Sequence, residues 1–143
     1  MNWIVPSNEN KFDLAKFLSK HNNVVDWKQS ANFEVGDVVY IYCTKPQMRI
    51  RYKMDVIATN IPSSKAMMDK TCWSDEAEFK SGVENNKYFP MKLTSEIDSD
   101  FLTMDNLHKL GVKGYFYGPR TIGRELIQYI DNIFDKQYST NNK

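Results

Sequence analysis

The sharpest pattern in this chain is an alternation. Met48, Ile50, Tyr52, Met54 and Val56 fall on every second position, with Arg49, Arg51, Lys53 and Asp55 between them. A period of two over this length predicts a strand with one packed face and one wet face. Just upstream, Asp37 to Cys43 is nearly continuous in apolar and β-branched residues, which predicts a strong strand. Its Val38, Tyr40 and Tyr42 point one way and Val39, Ile41 and Cys43 the other. Trp3 to Val5 reads as a short first strand stopped by Pro6, and Tyr88 to Ile97 as a later strand. Val24 to Trp27 reads as a short extended piece.

Helical spacing appears three times. Leu14, Phe17, Leu18 and His21 predict an amphipathic helix over 11–20, with capping side chains at Asn8 to Asn10. Thr103 is an N-cap for a short helix that Gly111 ends. Ile122, Leu126, Ile130, Ile133 and Phe134 form the stripe of a final helix capped by Thr121. Residues 137–143 are polar and read as a frayed tail. Residues 60–87 carry Pro62, mixed charges and Gly82, which predicts a long excursion with one or two short helices pinned by Trp73 and Phe79. Thr44 to Gln47 is a turn, and Tyr115-Phe-Tyr117 a short aromatic strand or turn. Strand-helix-strand alternation is absent through the middle, so the pattern predicts an α+β fold: a partly closed β-barrel flanked by helices. At 143 residues the chain is read as one domain, 1–143.

Charge and cysteine content narrow the function. A net charge of +1 argues against a general nucleic-acid coat, so any such contact must come from a local patch. Cys43 and Cys72 have no metal-ligand spacing, and His21 and His108 complete no set, so no metal or cofactor is implied. Two reduced thiols and the lack of a signal or spanning segment point to a cytoplasmic protein without membrane contact. No Gly-x-Ser-x-Gly, P-loop or dinucleotide glycine pattern is present, and the acids Asp75, Glu76 and Glu78 sit in a charged, solvated stretch. The chain therefore reads as a binding module, not an enzyme.

The chemistry concentrates between Val25 and Cys43, where Trp27 precedes Lys28, Gln29, Ser30 and Asn32 and then a Gly-Asp turn. A Trp beside a strand is either core filling or the wall of a pocket. An apolar core would not select these polar neighbours, which could check the edge of a base stacked on Trp27. Tyr42, near a strand end, fits core or pocket mouth. Tyr40 and Tyr52 fit the core. Trp73 either anchors its loop or supplies the second wall of the pocket, in competition with Phe116 and Tyr117. Lys45, Arg49, Arg51 and Lys53 are either a solvated strand face or a phosphate track. Arg120 is a further cationic point near a helix start.

Trp27-x-x-Ser30 followed by Val35-Gly-Asp-Val-Val-Tyr-Ile-Tyr42 resembles the start of an EVE domain, a PUA-like β-barrel related to the YTH readers of methylated RNA. Ile50-x-Tyr-Lys-Met-Asp-Val56, Tyr88-Phe-Pro-Met-Lys-Leu93 and Gly118-Pro-Arg120 before an apolar helix continue the resemblance. Gly118-Pro-Arg120 is similar to the closing segment of EVE domains fused to HNH nucleases. The resemblance implies that Trp27, with Ser30 nearby, lines a base pocket. It implies recognition of a flipped, modified cytosine in DNA (5-methyl or 5-hydroxymethyl), with DNA favoured over RNA, and a part in restricting modified foreign DNA. This chain contains no nuclease, so it either works with a separate nuclease partner, is a fragment of a longer protein, or does something else. An RNA-binding PUA-like module and a protein-interaction domain without base binding are the alternatives.

Overall fold

The computed structural model describes residues 1–74, 79 and 86–141, and side chains as far as residue 136. Among the described residues, seven strands form one mixed, unclosed sheet. They are β1 (Asn2–Ser7), β2 (Val24–Lys28), β3 (Val38–Cys43), β4 (Arg49–Val56), β5 (Ile61–Pro62), β6 (Lys87–Glu96) and β7 (Arg120–Thr121). The order across the sheet is β2-β6-β4-β3-β1-β7, and β5 pairs with β6. Only β1 and β3 run parallel, with Trp3 opposite Val39 and Ser7 opposite Cys43. The α-helices that lie wholly within the described residues are α1 (Leu14–Lys20), α2 (Met104–Lys109) and α3 (Arg124–Asn141). No described helix is long and apolar enough to cross a membrane.

The sheet lies between two cores. One packs Trp3, Val5, Phe33, Val39, Ile41, Met54 and Phe89 against Leu14, Phe17 and Leu18 of α1. The other packs Ile4, Tyr40, Tyr42 and Ile50 against Leu107 of α2 and Ile130 and Phe134 of α3. β3 is central and buried on both faces, which is why it reads as an uninterrupted apolar run. Pro6 does not stop β1. Backbone groups at even positions of β1 face the β7 side, but β7 pairs only with Trp3 and Ile4, so the missing N–H of Pro6 breaks no ladder.

β4 departs from the alternation read in the sequence. Ile41 pairs with Tyr52 and Tyr42 with Ile50, which leaves Arg51 as an extra residue in β4. This bulge sends Met48 and Ile50 to the α3 side, while Tyr52, Met54 and Val56 face α1. The five apolar residues therefore serve two cores, and β4 is an inner strand between β3 and β6 rather than one with a wet face.

The caps differ in part. Asp13, not Asn8 to Asn10, caps α1 by accepting from the Lys16 amide at 3.0 Å, while Asn8 closes a local turn by accepting from the Asn10 amide. Thr103 caps α2 through the Asn106 amide, and Gly111 follows it at φ +98°. Thr121 is a strand residue in β7, and α3 begins at Arg124. Ile130 and Phe134 are buried and Ile122, Leu126 and Ile133 partly buried, in line with the predicted stripe. Of the excursion, β5 and two 3-10 turns, Ser63–Lys65 and Lys70–Cys72, are described. Asp75, Glu76, Glu78 and Gly82 lie outside the described residues, as do the last two of the tail.

Candidate base-binding pocket

An apolar cavity of about 220 Å³ opens on the α1 side of the sheet. Phe12, Trp27, Trp73 and Tyr88 form its walls, with Ser7, Asn8, Lys11 and Lys28 around them. Each wall is held by a different device. Trp27 sits in β2 opposite Phe89 of β6, and Tyr88 is paired with Lys28 one step on. Phe12 and Trp73 form an isolated antiparallel bridge, backed by the Asp13 amide donating to the Cys72 carbonyl at 2.7 Å and the Ser74 amide to the Lys11 carbonyl at 2.9 Å. The Phe12 ring touches both indoles, at 5.8 Å from Trp27 and 4.9 Å from Trp73.

Asp69 fixes the excursion that carries Trp73. Its carboxylate accepts from the Thr71 amide at 3.0 Å, and it pairs with Lys20 at 2.9 Å and His21 at 2.8 Å, both from the C-terminal end of α1. The Thr71 hydrogen bonds, then those of Lys20 and His21, hold the carboxyl well below the usual carboxylate range.

Ser7 and Tyr88 supply the pocket's polar chemistry. Both are almost fully buried, and neither the Ser7 Oγ nor the Tyr88 hydroxyl has a hydrogen-bond partner among the described residues. Buried hydroxyls are nearly always paired, and an orphaned one costs stability. Burial raises the Tyr88 phenol above its ordinary value, so it keeps its proton and can donate. Behind Ser7, Cys43 is also buried. Desolvation, then the neighbouring Glu9, push its thiol far up, which keeps it protonated and unreactive.

Of the sequence candidates, Trp27 and Trp73 share this cavity. Gln29, Ser30 and Asn32 do not line it; they border a separate shallow depression with Asn86 and Lys87. The cause is Phe33. It stacks on Phe89 at 4.1 Å and packs on Trp3 at 4.5 Å, and burying it carries the preceding polar residues away from Trp27. Gln29 also accepts from the Asn60 amide at 2.9 Å. Tyr42, Tyr117 and Lys45 lie around a neighbouring depression that shares Asn8 with the cavity.

The basic run is not an open track. Arg49 pairs with Asp98 at 3.0 Å and Asp100 at 2.9 Å. Arg51 donates to the Ile97 carbonyl and to Gln47. Lys53 pairs with Asp131 of α3 at 2.9 Å. Arg120 donates to the carbonyls of Lys113 and Tyr115 and covers the Phe116 ring at 4.8 Å, so it holds the loop before β7 together. Each of these four cations therefore already has partners within the molecule. Lys28 and Lys45, by contrast, are exposed and have no partner among the described residues. Sequence reading assigned Asn8 to a cap and Tyr88 to a strand and gave Ser7 and Phe12 no part in the pocket. No sequence signal marked Ser7 and Asn8, because their place beside the pocket follows from β1 running parallel to β3 in the folded sheet.

No protein-family model and no curated protein matches the chain. Solved structures do. An ASCH protein from Zymomonas mobilis superposes with a TM-score of 0.65 at 11% identity, covering 92% of this chain and 94% of its own. A protein from Pseudomonas syringae gives 0.63 at 15% identity over 93% and 99%, and one from Pseudomonas putida gives 0.61 at 13% identity over 92% and 98%. ASCH domains belong to the PUA-like superfamily. The chain has a PUA-like fold.

Proposed function

We propose that this protein is a nucleic-acid-binding module that takes one unstacked base into the pocket between Trp27 and Trp73. The observation that carries the reading is the pairing of aromatic walls with two buried, unpartnered hydroxyls in one cavity. A base presents two π-faces and an edge of donors and acceptors. The indoles and Phe12 suit the faces, and Ser7 and Tyr88 suit the edge. Lys28 at the rim suits the adjoining phosphate.

The likeness to EVE domains extends the proposal to a modified cytosine in DNA. The cavity walls are apolar, so a 5-methyl group would lose water there without stranding a polar atom. That gain is worth about 1–3 kcal/mol. Coupled to a separate nuclease, such a module would direct cleavage to modified DNA. The RNA equivalents are the direct comparison.

The test is titration of matched single-stranded oligonucleotides, DNA and RNA, with cytosine, 5-methylcytosine or 5-hydroxymethylcytosine, followed by indole fluorescence. Stacking on Trp27 or Trp73 should quench it. Trp27→Ala should weaken binding by about 1–3 kcal/mol while unfolding stays cooperative. Loss of the fold in that variant, or equal binding by variant and wild type, removes the indole from the base pocket.

A further inference from the structure

The depression beside the base pocket has its own set of unsatisfied groups. It measures about 500 Å³ and includes Asn8, Tyr42, Lys45, Tyr115 and Tyr117. Tyr42 is 3% exposed, and its hydroxyl has no hydrogen-bond partner among the described residues. Tyr117 is 90% exposed and Tyr115 50%, so two aromatic rings stand open to solvent around one hollow. A single exposed aromatic is ordinary; two beside a buried orphan phenol and an unpaired lysine are not.

Connectivity explains the placement. β1 and β3 run parallel and end together at Ser7 and Cys43. Side chains at Ser7 and Tyr42 point to opposite faces of the sheet, one toward the α1 core and one toward the α3 core. Asn8, just past the end of β1, borders both hollows. The two hollows therefore meet across Asn8 at the same end of the sheet.

We infer that this depression is a second nucleotide subsite, taking the base adjacent to the one held between Trp27 and Trp73, so that the ligand is a single strand and not a free nucleoside or an intact duplex. The inference rests on the base-pocket reading. Tyr117 offers a stacking face, the Tyr42 hydroxyl a hydrogen bond to the base or sugar, and Lys45 a charge for the phosphate between the two nucleotides. An intact duplex would keep both bases paired and hidden, whereas an unpaired strand presents them in succession.

The experiment compares two probes on the same protein: 5-methyl-deoxycytidine monophosphate and a short single-stranded oligodeoxycytidylate carrying 5-methylcytosine, with the RNA oligomer in parallel. Tyr117→Ala should weaken the oligomer about 5- to 150-fold, the range for one lost stacking partner, and leave the mononucleotide unchanged. Tyr117→Phe should restore the oligomer. Because Tyr117 is almost wholly exposed, neither change should disturb the fold. Tyr42→Phe should weaken the oligomer alone, and Lys45→Ala should also lower the log–log salt slope by about one. If Tyr117→Ala leaves the oligomer unchanged, or weakens both probes equally, the second subsite is overturned while the base pocket stands. If Trp27→Ala changes the binding of neither probe, the base pocket itself falls and the second subsite with it.

Discussion

At the scale of the residue, the informative groups are those the fold leaves unsatisfied. Tyr88 packs its ring in the core and buries a hydroxyl with nothing to bond. Tyr88→Phe removes that desolvated group without changing the ring, so the variant should be as stable as wild type or more so. It should also bind oligonucleotides less well. Denaturant unfolding beside a binding titration checks both, and a variant that is less stable and binds normally would make the hydroxyl structural. Asp37 is the converse case, a buried carboxylate fully served. It accepts from the Trp3 indole at 2.9 Å, the Glu34 amide at 3.0 Å and the Met1 α-amino group at 3.0 Å. Burial raises its pKa, but these bonds outweigh burial and leave it below the ordinary value. A carboxyl lowered on folding stabilises the protein above its unfolded pKa, and that contribution fades as pH falls through the folded value. Trp3→Phe removes one of those bonds. Its acid unfolding should begin at higher pH than in wild type. The stability gap between the two should be widest near neutrality and narrow in acid; a gap constant with pH would assign the whole loss to packing.

At the scale of the element, the bulge in β4 decides more than any propensity. The sequence shows five apolar residues at a period of two, and a regular strand would bury them all against one core. The extra residue at Arg51 splits them between two cores, with Ile50 facing α3 and Tyr52 facing α1. Deleting Arg51 makes Ile50 and Tyr52 neighbours, and neighbours in a strand already face opposite ways. That deletion should lose the bonds of Arg51 to Ile97 and Gln47 but keep a cooperative transition. Deleting Lys53 instead should turn Tyr52 toward the α3 side and abolish cooperative folding. Thermal unfolding of the two deletions separates the outcomes; equal damage from both would show that the bulge is not what sets the register. The same element explains the basic run. Arg49, Arg51 and Lys53 lie on a central strand within reach of Asp98, Asp100, Ile97 and Asp131, and are paired with them.

At the scale of the whole molecule, the sheet's curl builds the site. β1 and β2 are separated in the sheet by β3, β4 and β6, yet Ser7 of β1 and Trp27 of β2 line one cavity. Right-handed twist carried across five strands, with register shifts in the pairings of β4 with β3 and β6, bends the sheet around the α1 core without closing it. The amino-acid sequence by itself determined the α+β class, the major strands and the apolar stripe of α3, because the local period of apolar residues set them. It also marked Trp27 and Trp73 as candidates, since aromatics among polar neighbours stand out without any coordinates. It could not show that Ser7, Phe12 and Tyr88 meet those indoles, nor that Ser30 and Asn32 turn away behind Phe33. It could not show that the arginines of β4 are already paired. Those facts depend on which residues far apart in the chain become neighbours, and only the pairing register and curvature of the folded sheet decide that.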